Sequence, residues 1–237
     1  MITLRNITLA YGDRTLVENG SAEFAAGELT ALVGRNGAGK STLLRAVTAI
    51  EPPKSGEVLL DGTNAAAMPP ETIARTISFV GTEKVRIANL RCEDIVAIGR
   101  APYTNWIGRM QAADRRIVAD ALQAVGMEAF AERSIDTLSD GECQRIMIAR
   151  ALAQQTPTIV LDEPSAFLDI PTRFEICRLL QRLAHDEGKC ILFSTHDLDA
   201  AMPVCDSVAV ISDRTITKLP AAEIRRQGII ERLFVNR

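Results

Sequence analysis

The segment from Gly34 to Ser41 reads G-R-N-G-A-G-K-S and fits the phosphate-loop pattern G-x-x-x-x-G-K-[ST]. The apolar run at 28–33 predicts a buried strand before it, and the spacing at 40–47 predicts a helix after it. A glycine loop in this position directs backbone amides and the positive end of a helix toward an anion. The segment therefore predicts a phosphate site in an α/β fold. The alternative is a glycine-rich turn that only caps the helix.

The motif assigns chemistry to individual side chains. Lys40 can reach the β- and γ-phosphates of a nucleotide, and the Ser41 hydroxyl can ligate Mg²⁺. The predicted nucleotide-binding residues of this loop are Gly34, Asn36, Gly37, Gly39, Lys40, Ser41 and Thr42.

Length and composition exclude several other classes. A chain of 237 residues, 47% hydrophobic, suits one large α/β domain or two small ones. A net charge of −3 without a run of five Lys/Arg argues against nucleic acid as a partner. Five scattered cysteines without a C-x-x-C pair favour reduced thiols in a cytosolic protein. No signal peptide and no apolar stretch of about 18 residues is evident, so any membrane contact is expected through a partner.

Periodicity divides the chain into regions. The first 30 residues and 55–62 read as strands between turn signals, which predicts a small β layer. Helical spacing at 92–99, 112–125 and 127–133 predicts a helical insertion. Later elements are two buried parallel strands at 158–162 and 189–195, a helix at 173–187 between them, a hairpin at 207–218 and a short final helix.

Two carboxylates follow the apolar run at 158–161. Ligand crevices of α/β folds lie at the carboxyl ends of parallel strands, so Asp162 and Glu163 are expected beside the phosphate loop. Asp162 would hold Mg²⁺ through water, and Glu163 would orient the water that attacks the γ-phosphate. The alternative is an acidic pair that only faces solvent.

The string L-S-D-G-E-C-Q-R, Leu138 to Arg145, resembles the signature L-S-G-G-Q-x-Q-R of ABC-type ATPases. It is also a capping box, with Ser139 as the N-cap of a helix to about Ala153. Since most S-x-x-E strings are only caps, the resemblance depends on the order of the motifs. Phosphate loop, signature, Asp162–Glu163, the segment 165–169 and His196 follow the family order, and the resemblance covers essentially the whole chain.

The family resemblance implies an α/β fold with a RecA-like P-loop core, a small antiparallel β subdomain and a helical subdomain insertion. Residues 1–237 would form a single ABC ATPase domain. Residues 1–82 and 157–237 would supply the nucleotide-binding core and β layer, and 83–156 the helical subdomain with the signature helix.

The resemblance also implies that ATP is bound between two copies of the chain in a head-to-tail homodimer. The Lys40 loop and Asp162 of one copy would bind the nucleotide, and Ser139 and Gly141 of the other would contact its γ-phosphate. Asp169 would couple the two sites across the dimer.

The remaining roles follow the same pattern. Catalysis would fall to Glu163, His196 and Lys40, with His196 contacting the γ-phosphate, while Ser41 and Asp162 would hold Mg²⁺. Tyr11 corresponds to the family's adenine-stacking aromatic, although it could instead be a core residue of the β layer.

The chain departs from the family pattern at two places. Thr82 stands where a Mg²⁺-ligating, permease-sensing glutamine is usual, and Thr82 or Glu83 is the candidate replacement ligand. Asp140 and Glu142 replace Gly and Gln of the signature. At ~6 Å and an effective dielectric of ~20, each added charge would repel a phosphate by roughly 2–3 kcal/mol before screening. Carboxylates angled away from ATP, and a slower or differently gated ATPase cycle, are the corresponding hypotheses.

One further segment resembles the G-R-x-P-[WY] stretch of importers for ferric siderophores, haem and cobalamin. It comprises Gly99 to Tyr103, G-R-A-P-Y, and is followed by Trp106 to Arg109. It implies contact with integral membrane permease subunits through about 83–110 on the cytoplasmic face of the membrane, and with a substrate-binding protein indirectly. The alternative for these aromatics is a local core.

Three alternative functions remain open at this point. They are a soluble ABC ATPase of a cytosolic assembly, a transporter of another substrate class and a phosphate-loop kinase. A kinase would lack the signature helix.

Overall fold

A computed structural model describes residues 1–83, 86–104 and 110–229. The strands are β1 (Ile2–Tyr11), β2 (Arg14–Phe24), β3 (Leu29–Gly34), β4 (Ser55–Leu60), β5 (Thr63–Asn64), β6 (Ile77–Val80), β7 (Thr158–Leu161), β8 (Cys190–Ser194), β9 (Ser207–Ser212) and β10 (Thr215–Pro220). The α-helices are α1 (Lys40–Val47), α2 (Pro70–Thr76), α3 (Cys92–Ile98), α4 (Ala112–Ala124), α5 (Asp140–Ala153), α6 (Ile170–Asp186), α7 (Leu198–Ala201) and α8 (Ala221–Gln227). None of these described helices is long and apolar enough to span a bilayer.

Two sheets organise the molecule. The smaller sheet is antiparallel, with strand order β2-β1-β4-β5. The larger sheet has the order β10-β9-β3-β8-β7-β6, and all of its neighbouring strands are parallel except the β9–β10 hairpin. The predicted α/β class, with a P-loop core, a small antiparallel β layer and inserted helices, is confirmed.

Two hydrophobic clusters hold the layers together. One contains β1, β2 and α1 side chains with one face of the large sheet, including Phe24, Leu43 and Leu192. The other contains α3 to α6 against the opposite face, including Ile146, Leu180 and Phe193. The large sheet is therefore covered on both faces, as parallel sheets generally are.

The inserted helices share one core with the large sheet. Helices α3, α4 and α5 pack on each other, and Arg100 lies buried among them. Its guanidinium donates to Asp114 Oδ1 at 3.0 Å and to the carbonyl of Ala153 at 2.8 Å. Arg100 thus connects the end of α3 to the start of α4 and the end of α5.

Two expectations about helices were wrong. The pattern at 127–133 gives only a short 3₁₀ helix, Glu128–Phe130, because the buried side chains of Met127 and Ile135 do not share one helical face: Met127 precedes this helix, and Ile135 begins a second 3₁₀ helix, Ile135–Thr137. Helix α6 begins at Ile170 rather than 173, because Asp169 caps it and proline is favourable in a first turn.

Candidate active site

The phosphate loop connects β3 to α1, as its sequence predicts. Gly37 and Gly39 have φ of 74° and 108°, in the left-handed region that side chains avoid, and a Cβ on Gly39 would lie 3.0 Å from Leu16 Cβ. Lys40 is 7% exposed, and its ammonium donates to the Gly34 carbonyl at 3.0 Å. The loop therefore holds a buried cation at the start of a helix, where an anion would be stabilised.

Parallel strand order brings the other predicted residues to the same edge of the sheet. Asp162 follows β7, Thr82 follows β6 and His196 follows β8, while the phosphate loop follows β3. The Asp162 amide donates to the Val80 carbonyl at 2.8 Å, which extends the β6–β7 pairing to the acidic pair. The candidate site lies at the carboxyl edge of the sheet.

Asp162 and Glu163 occupy different environments. Asp162 is 8% exposed, and its Oδ1 accepts a 2.5 Å hydrogen bond from the Ser194 hydroxyl. Glu163 has a φ of 49° and a half-buried side chain, and its Oε2 lies 3.5 Å from Nδ1 of His196. His196 is itself more than half exposed. One carboxylate is thus fixed inside the protein, and the other is partly exposed beside an imidazole.

A cavity of about 410 Å³ joins several of these groups. The predicted residues that line it are Tyr11, Asn36, Gly37, Gly39, Lys40, Ser41, Thr42 and Glu163. The Tyr11 side chain is 76% exposed, so Tyr11 is not a core residue of the β layer, which was the alternative. An exposed aromatic ring and the phosphate loop thus line the same cavity.

Thr82 and Glu83 lie on a second, smaller cavity with Glu163. Arg86, Asp140 and Phe167 line the same cavity. The segment after β6 is therefore beside the acidic pair, although threonine replaces the glutamine expected there.

The signature segment forms the capping box that its sequence predicts. Ser139 Oγ accepts from the Glu142 amide at 3.3 Å, and Glu142 Oε2 accepts from the Ser139 amide at 2.7 Å and from its hydroxyl at 2.8 Å. The backbone and side-chain bonds from Ser139 hold the pKa of Glu142 below its ordinary value. The Glu142 carboxylate is therefore hydrogen-bonded to Ser139 at the start of its own helix.

Asp140 is engaged by a residue from the region after β6. An Arg86 nitrogen lies 2.5 Å from Asp140 Oδ1, and a second nitrogen donates to the Leu138 carbonyl at 3.0 Å. The contact with Asp140 raises the pKa of the Arg86 guanidinium. Both unusual carboxylates of the signature thus have partners within the chain.

Gly141 and Asp169 meet through Thr172, a residue of the first turn of α6. A Cβ on Gly141 would lie 2.6 Å from Thr172 Cγ2, so glycine permits close packing of α5 on α6. Asp169 Oδ1 accepts from the Thr172 amide at 3.1 Å, and the bonds from Thr172 lower the pKa of Asp169. Both residues therefore have a structural task besides the roles that the resemblance implies.

The residues named in the sequence separate into two groups in space. Among the described residues, the lining of the 410 Å³ cavity includes none of Ser139, Gly141 and Asp169. The chain thus brings together the phosphate loop, the acidic pair and His196, but it does not add its own signature to that cavity.

Two residues of the site were missed by sequence reasoning. The sequence pattern places Ser194 in an apolar strand and Arg86 in the permease-facing region, and it indicates no role for either residue in the site. A hydroxyl inside the otherwise apolar run Cys190–Ser194 was the available signal for the first. No local signal marks Arg86, because its partner is 54 residues away.

The donor atoms fit Mg²⁺ in the company of a nucleotide. The described residues contain no group of three or more His, Cys, Asp or Glu that could form a metal cage. Mg²⁺ with a bound nucleotide needs only one or two protein carboxylates, since phosphates and water supply its other ligands. The Ser41 hydroxyl and the Asp162 carboxylate meet that requirement.

A strand–loop–helix phosphate site beside an acidic pair defines a P-loop nucleotide-binding protein. The family model for the ABC transporter matches residues 17–166, more than half of the chain. The chain belongs to the ABC transporter family and is its ATPase component.

Relatives of this family match nearly the whole chain. The iron(3+)-hydroxamate import ATP-binding protein FhuC of Bacillus subtilis is 35% identical over 98% of this chain and 87% of its own length. The achromobactin transport ATP-binding protein CbrD of Dickeya dadantii is 34% identical with the same coverage of both chains. A dimeric ATP-binding cassette in a post-hydrolysis state, bound to ADP and Pi, superposes with a TM-score of 0.79 at 27% identity, covering 93% of this chain and 99% of that one.

Proposed function

We propose that this chain is the ATP-hydrolysing, energy-coupling subunit of a membrane importer for a ferric siderophore or a related chelate such as haem or cobalamin. The observation that carries the proposal is the single sheet edge that holds Lys40, Asp162, Glu163 and His196. The substrate class follows from FhuC and CbrD, whose names are those of iron-hydroxamate and achromobactin transport proteins.

ATP would enter the 410 Å³ cavity with its adenine on the exposed Tyr11 ring and its phosphates on the loop. The Lys40 ammonium, now bonded to the Gly34 carbonyl, would turn to the β- and γ-phosphates. Ser41 and Asp162 would hold Mg²⁺, which neutralises charge on the transferred phosphoryl group. Thr82 is proposed as a further oxygen ligand of this metal.

Glu163 would orient and polarise the attacking water. Its carboxylate faces the cavity, whereas that of Asp162 is engaged by Ser194. His196, 3.5 Å from Glu163, would contact the γ-phosphate and limit the movement of the glutamate. The two carboxylates thus have separate roles because their surroundings differ.

A second copy of the chain would complete the site. Ser139 and Gly141 do not line the phosphate cavity of their own described chain, and their helix N-terminus can receive an anion. The post-hydrolysis cassette that resembles this chain is dimeric. A head-to-tail homodimer would place each signature on the nucleotide of the other copy, with Asp169 between the two sites.

A permease subunit would dock in an apolar groove between the core and the inserted helices. The groove, about 520 Å³, is lined by α2, β6 and the end of α3, and it includes the exposed side chains of Ile50 and Ile98. A short amphipathic helix of a permease matches such a surface. Docking there would hold the chain on the cytoplasmic face of the membrane, with the substrate-binding protein acting through the permease.

The G-R-A-P-Y stretch lines this groove through Gly99, Ala101 and Pro102, whereas Arg100 does not line it. Arg100 is buried, and a Cβ on Gly99 would lie 2.2 Å from the Arg150 carbonyl, so both are packing residues. Tyr103 is 36% exposed, with the Arg100 guanidinium 4.1 Å from its ring centre. The predicted contact at 106–109 lies outside the described residues.

Copurification from membranes tests the proposal. The tagged chain should bring down a permease of many transmembrane helices, and its ATPase rate should rise when the loaded binding protein is added. Ile98→Asp should lose the permease and keep basal ATPase activity, while Arg182→Glu, on α6 outside the groove, should keep both. Recovery in a soluble cytosolic complex, with no permease, would favour the alternative of a soluble ABC ATPase.

A further inference from the structure

Ser194 contacts both members of the acidic pair. It is the last residue of β8, and its side chain is fully buried. Its hydroxyl donates to Asp162 Oδ1 at 2.5 Å and accepts from the Glu163 amide at 2.8 Å. A single side chain from the neighbouring strand therefore bonds the side chain of one carboxylate residue and the backbone of the next.

The bond to Glu163 falls at a strained position. Glu163 has a φ of 49°, in the left-handed region that side chains rarely adopt, and such residues persist only where their surroundings fix them. On one side the Asp162 amide pairs with Val80 of β6; on the other Ser194 receives the Glu163 amide from β8. The turn is thus held from both neighbouring strands.

The bond to Asp162 orients a buried carboxylate. Asp162 is 8% exposed, and a buried charge without a partner is costly, so the Ser194 hydroxyl both stabilises it and selects its rotamer. Because the hydroxyl donates to Oδ1, Oδ2 is the oxygen left to ligate a cation. The carboxylate would then already be oriented when the cation binds. The Ser194 hydroxyl has one hydrogen, which it donates to the carboxylate, and its oxygen lone pairs accept from the Glu163 amide.

We propose that Ser194 is a positioning residue for ATP hydrolysis, because it fixes the metal-binding Asp162 and the catalytic Glu163 relative to each other. It touches neither substrate nor metal and acts only through these two residues. The inference rests on the proposed function for its kinetic consequence. The hydrogen bonds themselves can be tested in the chain without nucleotide.

Two substitutions of equal shape isolate the hydroxyl. Ser194→Thr and Ser194→Val add nearly the same volume to the buried site, but only threonine keeps the hydrogen-bonding oxygen. We expect the kcat of Ser194→Val to be about 10- to 100-fold lower than that of Ser194→Thr, since a hydrogen bond to a charged group is lost. The KM for ATP should change less than about threefold, because the residue does not touch the nucleotide.

Ser194→Ala and Ser207→Ala form a second pair that does not depend on the fit of a larger side chain. Ser207 is also a buried serine, and its hydroxyl bonds Thr30 at 2.9 Å at the opposite end of the sheet. Ser207→Ala should keep the wild-type kcat, whereas the kcat of Ser194→Ala should fall as far as that of Ser194→Val. Equal kcat values within both pairs would overturn the proposal.

Two readouts separate the positioning role from simple loss of stability. Hydrogen exchange of the Glu163 amide, measured by NMR without nucleotide, should be slow in the wild type and Ser194→Thr and fast in Ser194→Val and Ser194→Ala. Mn²⁺ affinity in the presence of a non-hydrolysable ATP analogue, followed by electron paramagnetic resonance, should fall in the same two variants. If the wild type hydrolyses no ATP, the proposed function fails, whereas an unprotected Glu163 amide in the wild type refutes the role of Ser194.

Discussion

At the scale of single residues, environment gives neighbouring carboxylates different tasks. Asp162 is buried and bonded to Ser194, whereas the Glu163 carboxylate is open to the cavity and 3.5 Å from His196. Glu163 lines the nucleotide cavity, so its carboxylate is placed to bind a water molecule there, while one oxygen of Asp162 is already bonded to Ser194. Glu163 is therefore the proposed catalytic base.

Glu163→Gln is expected to lower kcat by about 100-fold or more, because the amide cannot accept the proton of the attacking water. ATP affinity should be retained, since the phosphate loop is unchanged. Steady-state hydrolysis and equilibrium nucleotide binding measure the two quantities. Wild-type turnover in the variant would remove Glu163 from its role.

Most residues of this edge could be predicted from sequence because they follow short apolar strands or form a contiguous motif. Lys40, Asp162 and His196 belong to this group. The contacts of Ser194 and Arg86 could not, since the partner of each residue is distant in sequence and becomes adjacent only after the sheet and helices assemble. The charges of Asp140 and Glu142 were visible, but their partners became clear only in three dimensions.

At the scale of elements, the start of α5 combines a predictable cap with a partner that local sequence does not reveal. Ser139 and Glu142 satisfy each other's backbone amides, as the S-x-x-E spacing predicts. Arg86 adds bonds to Asp140 and to the Leu138 carbonyl from the segment after β6. The N-terminus of the signature helix is thus connected to the region that borders the acidic pair.

Ser139→Ala should lower the free energy of unfolding by about 1 kcal/mol at pH 7, the usual loss for a helix N-cap. The pKa of Glu142 is depressed in the folded chain, so its stabilisation is present above its unfolded pKa of about 4.3 and lost as pH falls through the folded pKa. The difference between variant and wild type should therefore shrink below about pH 4. Urea unfolding at pH 7 and below about pH 4 measures this; a difference independent of pH would contradict the bond from the Ser139 hydroxyl to the Glu142 carboxylate.

The Arg86–Asp140 pair can be tested by exchanging its charges. Arg86→Asp should place a second negative charge beside the signature and raise the KM for ATP. Adding Asp140→Arg should lower the KM part of the way back to the wild-type value, although the bond from residue 86 to the Leu138 carbonyl remains absent. A double-mutant cycle in ATPase kinetics gives the coupling. Additive effects would show that the pair does not compensate the altered signature.

At the scale of the whole molecule, the layer order of the fold could be predicted more reliably than its irregular parts. The alternation of strands and helices and the order of motifs predict two sheets and inserted helices. The failed helix at 127–133 and the early start of α6 arise where tertiary packing and capping determine the backbone. The proposed boundaries at 82/83 and 156/157 stay predictions, since α3 to α5 share one hydrophobic cluster with the large sheet.

The separation of the signature from the phosphate cavity has a consequence for assembly. Ser139 and Gly141 do not line the phosphate cavity of their own described chain, so in the proposed assembly a second copy would complete the site, and reciprocal completion would give a closed dimer. ATP is then part of the interface. Association should depend on nucleotide and on both motifs.

The molar mass of Glu163→Gln in solution, with and without Mg²⁺-ATP, tests the shared site most directly. Light scattering should show one chain without nucleotide and two chains with it. Adding Ser139→Arg should leave ATP binding intact and abolish the dimer, while adding Lys40→Ala should abolish both. A Glu163→Gln chain that binds ATP and stays monomeric, or a dimer that persists with Ser139→Arg, would contradict a site completed by the signature of a second copy.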